Sequence, residues 1–80
     1  MYYVYLIKSI NNPEQIYIGY TENLKDRIIT HNYGGSPHTS KYKPWEVMFY
    51  LGFKNKTRAI EFEKYLKSQS GRAFTLKRFL

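Results

Sequence analysis

Apolar and polar positions divide this chain into short segments of distinct period. Tyr2 to Ser9 is rich in aromatic and β-branched residues, which predicts a strand. One of its faces would carry Tyr3, Tyr5 and Ile7 and the other Tyr2, Val4 and Leu6. Both are apolar, so this strand is expected to be covered on both sides and central. Asn11-Asn12-Pro13-Glu14 reads as a turn, because Asn tolerates left-handed backbone and Pro fixes φ and lacks an N–H. Gln15 to Tyr20 then reads as a second strand, hairpinned to the first.

The period changes after Tyr20. Thr21 is a candidate helix cap, and Leu24, Arg27, Ile28 and His31 recur at helical spacing. Tyr33-Gly34-Gly35-Ser36-Pro37 breaks that helix, and His38 to Pro44 reads as a basic loop. Trp45 to Phe53 alternates, with Trp45, Val47, Phe49, Leu51 and Phe53 expected on one face of a third strand. A second helix is predicted over Arg58 to Ser68, capped by Asn55 or Thr57, with Gly71 in the left-handed position that ends it. Arg72 to Leu80 is expected to be a short final helix or a docked tail. The order is ββαβα plus a short α. That predicts an α+β architecture, a three-stranded, mostly antiparallel sheet flanked by helices, in one domain spanning residues 1–80.

Composition narrows the function classes. Fifteen of the 80 residues are Phe, Tyr or Trp, enough large side chains for a dense small core. There is no cysteine, which excludes disulfide scaffolds, thiolate zinc sites and a Cys nucleophile. Met1 to Lys8 has no basic region before its apolar run, and the run is too short for a signal peptide or a membrane span. The expected location is the cytoplasm. Thirteen Lys and Arg against six Asp and Glu give a net charge of +7, a field that favours a polyanionic partner. Solubility alone would also account for the charge. No predicted helix pairs a wide apolar face with a Lys/Arg-only face, which argues against an anionic membrane surface.

The sharpest signal is polar groups on faces that should be apolar. Arg27 and His31 lie on the stripe marked by Leu24 and Ile28, and Glu63 falls within the stripe marked by Ala59, Phe62 and Leu66. Glu61, two positions away, points to the opposite face. A carboxylate turned toward a sheet is costly unless a cation or donors meet it. If Tyr5 pairs opposite Gly19, then Tyr5, Ile7, Tyr17 and Gly19 share one sheet face, and Gly19 leaves room beside the two rings. Each feature has an ordinary reading. Tyr5 and Tyr17 could be core aromatics, Gly19 a plain bulge, and His31 a core or helix-surface histidine. Arg27 and Glu63 could form a structural ion pair. Their convergence in one small domain favours a site.

These residues resemble a known family. Tyr3-Val4-Tyr5 followed by Tyr17-Ile18-Gly19 is similar to the paired tripeptides that name the GIY-YIG nucleases, with Tyr for Gly and Val for Ile in the first. Arg27-x-x-x-His31 resembles that family's catalytic helix, and Ala59-x-x-x-Glu63-Lys64 the helix bearing its metal-binding Glu. The short form, with Ser70-Gly71-Arg72 near the end, looks like the small stand-alone subgroup related to the catalytic domain of excinuclease C. An Asn that some members place after the metal Glu has no equivalent here, nor does the extra DNA-binding domain that nuclease members usually carry.

The resemblance implies a DNA endonuclease acting in repair, recombination or defence against foreign DNA. Glu63 would hold one Mg²⁺ or Mn²⁺, and Arg27 would grip the scissile phosphate. Tyr5 is the first choice for general base, with Tyr17 and His31 as alternatives or helpers; Arg27 and the metal would have to lower the phenol's pKa. Lys41, Lys43, Lys54, Lys56, Arg58 and Arg72 are the candidate nucleic-acid contacts, and a partner protein could supply specificity. The alternative reading is a weak or inactive nucleic-acid-binding module that works with such a partner.

Overall fold

A computed structural model describes residues 1–35, 37 and 39–78 of the chain. The elements run β1 (Tyr2–Ser9), β2 (Ile16–Thr21), α1 (Leu24–Tyr33), a 3₁₀ turn (Ser40–Tyr42), β3 (Trp45–Phe53), α2 (Lys56–Lys67) and α3 (Gln69–Arg78). The sheet order is β2-β1-β3 with both pairings antiparallel, so β1 is central and the expected α+β architecture holds.

Both faces of β1 are covered, as its two apolar sets require. Val4 and Leu6 are buried with Ile18 of β2 against Ala59 and Leu66 of α2. Tyr5 and Ile7 are buried on the other face with Trp45, beneath Leu24 and Ile28 of α1. The sheet is thus sandwiched between α1 and α2. Leu66 is wholly buried, and truncating such a side chain to Ala costs about 2–5 kcal/mol.

β3 departs from simple alternation. Leu6 pairs with Phe49 but Ile7 pairs with Val47, so Met48 is an extra residue in a bulge. A bulge shifts the phase of everything beyond it. Trp45 joins the cluster on the α1 side, while Phe49 and Phe53 pack on the α2 side. The single apolar face expected for Trp45, Val47, Phe49, Leu51 and Phe53 is therefore split in two.

Local chemistry sets the helix ends. Asn23, not Thr21, caps α1: its side chain accepts from Asp26 N–H at 3.1 Å and donates back to the Asp26 carboxylate at 2.9 Å. Thr21 instead bonds the backbone of Asn23, which shapes the entry to the cap. α1 ends at Gly34, whose φ of 78° suits glycine and directs its N–H back to His31 O. Asn55 caps α2 through Arg58 N–H at 3.1 Å.

Gly71 does not end α2. It lies inside α3, which begins at Gln69, and a β-carbon there would collide with the backbone of Tyr65 and Leu66. Glycine is needed because the two helices touch backbone to backbone, not because φ is positive. Ser68 makes the corner, donating to Tyr65 O and accepting from Gly71 N–H. Of the expected basic loop, Ser40–Tyr42 forms the 3₁₀ turn, and His38 lies outside the described residues, as do Ser36, Phe79 and Leu80. No helix among the described residues is long and apolar enough to cross a membrane.

Candidate active site

The hairpin register builds the centre of the site. Tyr5 pairs with Gly19 and Ile7 with Tyr17, as the sequence predicts. With no side chain at Gly19, the Tyr5 ring crosses over β2, and a β-carbon at residue 19 would overlap the ring and its hydroxyl. Tyr17 lies beside it, with ring centroids 6.4 Å apart.

α1 closes this pair from above with His31, which is buried to 1% exposure. Its ring centroid is 5.7 Å from that of Tyr5 and 5.1 Å from that of Tyr17. The Tyr5 hydroxyl and His31 Nε2 are 2.8 Å apart, a hydrogen bond between two buried groups. The other ring nitrogen, Nδ1, lies 2.7 Å from the hydroxyl of Thr39, a residue with no exposed surface. Thr39 is fixed in turn: its carbonyl accepts from the Trp45 indole at 2.8 Å and from Tyr42 N–H at 3.2 Å. Asn32 then ties Trp45 to α1, accepting from Trp45 N–H at 2.6 Å and donating to Trp45 O at 3.3 Å.

Burial governs the protonation of this core. It pushes the Tyr5 hydroxyl well above the ordinary phenol value; Tyr17 adds to the rise, Arg27 opposes it and Glu63 adds again. Arg27 thus acts in the expected direction but is outweighed, so Tyr5 is a neutral phenol at physiological pH. Burial also holds His31 below the usual imidazole value, and the Arg27 charge lowers it further. The pair is therefore a neutral phenol against a neutral imidazole.

Arg27 itself is exposed on α1, unlike the buried His31 one turn on, although the sequence puts both on the core stripe. That lets its guanidinium meet a solvent-borne group. Glu63 is turned inward, with its side chain 20% exposed, and pairs with Lys67 Nζ at 3.4 Å rather than with Arg27. Its charge raises the pKa of both Tyr5 and Tyr20, whose rings belong to the clusters on opposite sheet faces. The Tyr20 hydroxyl is buried with no hydrogen-bond partner among the described residues. Among the described residues no group of three or more His, Cys, Asp or Glu is placed to hold a metal ion, so such side chains alone would not enclose a cation here.

The basic candidates are distributed around this centre. Arg72 lines a notch of about 210 Å³ with Tyr17, Ile16, Ile18 and Lys67, so it adjoins the site. Lys54, Lys56 and Arg58 are exposed at the start of α2. Lys41 sits 5.6 Å from the Tyr42 ring centroid, and Lys43 reaches the Gly34 turn. Sequence reasoning misses Thr39, Tyr20 and Lys67. Only Lys67 has a signal, its i+4 spacing from Glu63.

Comparison with known proteins agrees with this architecture. The model of the GIY-YIG catalytic domain matches residues 1–77. A structure-specific endonuclease subunit SLX1 homolog of Giardia intestinalis is 42% identical over 65 residues, covering 76% of this chain and 18% of that protein. A UPF0213 protein of Clostridium perfringens is 38% identical over 68 residues, covering 84% of this chain and 71% of its own length. Another, from Staphylococcus haemolyticus, is 36% identical over 70 residues, covering 86% and 83%. The chain spans only about a fifth of the SLX1 relatives. With the family model matched almost end to end and the paired tripeptides on adjacent strands, the chain belongs to the GIY-YIG family.

Proposed function

We propose that this chain is a cytoplasmic, divalent-metal-dependent endonuclease that hydrolyses phosphodiester bonds in DNA, in repair, recombination or defence against foreign DNA. The observation that carries the reading is the buried Tyr5–His31 hydrogen bond, with Tyr17 against both rings and Arg27 and Glu63 both within electrostatic reach of Tyr5. A core assembled only for packing has no use for a phenol–imidazole pair flanked by an exposed guanidinium and an inward carboxylate. The SLX1 relatives are named as structure-specific endonuclease subunits, which favours cleavage of a nucleic-acid backbone and a partner protein as a source of specificity.

Each side chain has a role that its position supports. Arg27 forks onto the scissile phosphate from its exposed place on α1. Tyr5 takes a proton from the attacking water while its own proton passes to His31 Nε2; a buried phenol is too weak a base to act without such an acceptor. Tyr17 holds the water against Tyr5. The water oxygen bonds to phosphorus, the bond to the 3′ oxygen breaks, and that oxygen takes a proton from solvent. Lys41, Lys43, Lys54, Lys56, Arg58 and Arg72 contact flanking phosphates.

Glu63 would hold one Mg²⁺ or Mn²⁺. With no group of three such ligands among the described residues, Glu63 suits a hard cation that keeps most of its waters, and the unpartnered Tyr20 hydroxyl, within electrostatic reach of Glu63, is an available donor. When bound, the cation supplies Lewis acidity and positive charge at the leaving 3′ oxygen.

The test is nicking of supercoiled plasmid with Mg²⁺ or Mn²⁺ against EDTA, for wild type, Glu63→Ala and Arg27→Ala. Metal-dependent nicking by the wild type, lost in both folded variants, is the expected result. Cleavage that survives Glu63→Ala overturns the mechanism, and DNA binding without cleavage of plasmid or branched substrates replaces the enzyme with a binding module.

A further inference from the structure

The mechanism uses His31 Nε2 as a proton acceptor, yet a neutral imidazole accepts at only one nitrogen. In one tautomer Nδ1 carries the proton, and Nε2 is free to accept from Tyr5. In the other, Nε2–H donates to the Tyr5 oxygen, and Tyr5 then has no acceptor for its own proton. The two tautomers imply opposite chemistry for Tyr5, base or donor. Both ring nitrogens meet hydroxyls that can donate or accept; the phenol is the far stronger acid and hence the better donor to Nε2, which leaves the group at Nδ1 to accept.

That group is the Thr39 hydroxyl, 2.7 Å from Nδ1. It is fully buried, and its backbone is pinned through its carbonyl by the Trp45 indole and by Tyr42 N–H. Trp45 is tied to Asn32 on the same helix as His31, so ring and hydroxyl are held by one connected frame. Resting on the nuclease reading above, we infer that Thr39 is a positioning residue: its hydroxyl accepts from His31 Nδ1–H and so reserves Nε2 for the proton of Tyr5. Thr39 touches no substrate. It acts by fixing the tautomer and the plane of the ring. When the proton moves, the Tyr5 O–H bond breaks and the Nε2–H bond forms, Tyr5 regains a proton from the water, and the imidazolium keeps its Nδ1–H on Thr39. The relay resets when the imidazolium releases its proton to solvent.

The experiment has two independent readings. In ¹⁵N-labelled wild-type protein, long-range ¹H–¹⁵N correlation at neutral pH should show His31 with a protonated Nδ1 and a bare Nε2. Thr39→Val, which keeps the shape and removes the hydroxyl, should shift the ring toward the Nε2–H form, and Thr39→Ser should restore the wild-type pattern. In single-turnover cleavage, Thr39→Val should lower the rate about 100-fold with DNA affinity unchanged, and Thr39→Ser should recover most of it. A wild-type His31 protonated at Nε2 overturns the inference and requires no variant to fold. So does a folded Thr39→Val that keeps both tautomer and rate. Should the wild type cleave nothing, the nuclease reading fails while the tautomer measurement still decides the role of Thr39.

Discussion

The hydroxyl-bearing end of the Tyr5 ring rests directly over Gly19, the residue opposite it in the β1–β2 register. The contact is with a side chain, not with backbone, so a larger residue at position 19 would displace Tyr5 and leave the hairpin in place. Gly19→Ala is therefore expected to cost about 1–3 kcal/mol of stability through overpacking. Because the displaced atom is the one bonded to His31, cleavage should fall by about 100-fold, a far larger proportionate effect. Thermal melts and cleavage rates on the same preparation separate the two. A Gly19→Ala protein with the wild-type rate would show that Tyr5 need not sit where it does.

The buried His31 makes a prediction about pH. Its folded value lies below the ordinary imidazole value of 6.5, chiefly through burial and secondly through the Arg27 charge. Protonated His31 cannot accept from Tyr5, so kcat/KM should rise with pH through a midpoint below 6.5 and then level. Stability follows the same sign. Between the folded and unfolded values the unfolded chain binds a proton at this residue and the folded chain does not, so stability increases with pH across that window. The contribution is complete above the unfolded value and is lost as pH falls through the folded one. Denaturant titrations of wild type and His31→Gln check it: the variant should show a weaker acid-side loss in that window. An equal loss in both proteins would assign the effect to other groups.

Lys67 pairs with the carboxylate proposed to hold the metal. The pair is half in solvent, so removing it should change stability by less than about 1 kcal/mol. Its effect on cation binding should be easier to see, since the ammonium and a divalent ion compete for the same carboxylate. Lys67→Ala should tighten Mn²⁺ binding severalfold by calorimetry, whereas Glu63→Ala should abolish it. Unchanged Mn²⁺ affinity in Lys67→Ala would mean that the cation binds away from Glu63.

What the sequence discloses, and what it hides, follows from period. Two apolar faces mark β1 as central, and Tyr5, Gly19 and Tyr17 can be placed on one sheet face because side chains alternate strictly along paired strands. Inward-turned Glu63 and buried His31 are legible as polar residues on apolar helical stripes. Periodicity fails where the chain has none. The Met48 bulge carries no composition signal, so alternation alone gives the wrong phase for β3 beyond it. Thr39 lies outside the regular elements, and its importance comes from a contact across eight residues. Gly71 has the signature of a helix end because glycine favours that position, while its actual cause is the close approach of α3 to the end of α2, a tertiary fact.

The net charge of +7 makes the last prediction quantitative. Each phosphate neutralised on duplex DNA releases counterions and contributes about 0.9 to the slope of log affinity against log salt. Lys54, Lys56 and Arg58 are exposed at the start of the helix that carries Glu63, and Arg72 lines the notch beside Tyr17. If these four residues all touch phosphates, neutralising Lys54, Lys56 and Arg58 together should reduce the slope by up to about 2.7, and Arg72→Gln alone by about 0.9. Affinity should weaken alike on every sequence tested, because contacts to the backbone position the protein without reading bases. Position in the fold separates the two groups further. Arg72 adjoins Tyr17, so its loss should also lower the single-turnover rate at saturating DNA, whereas the triple variant should cleave at the wild-type rate once bound. Fluorescence anisotropy over a salt series, followed by single-turnover cleavage, measures both. A triple variant with an unaltered slope would remove the start of α2 from the DNA surface and leave the notch as the side from which the backbone approaches.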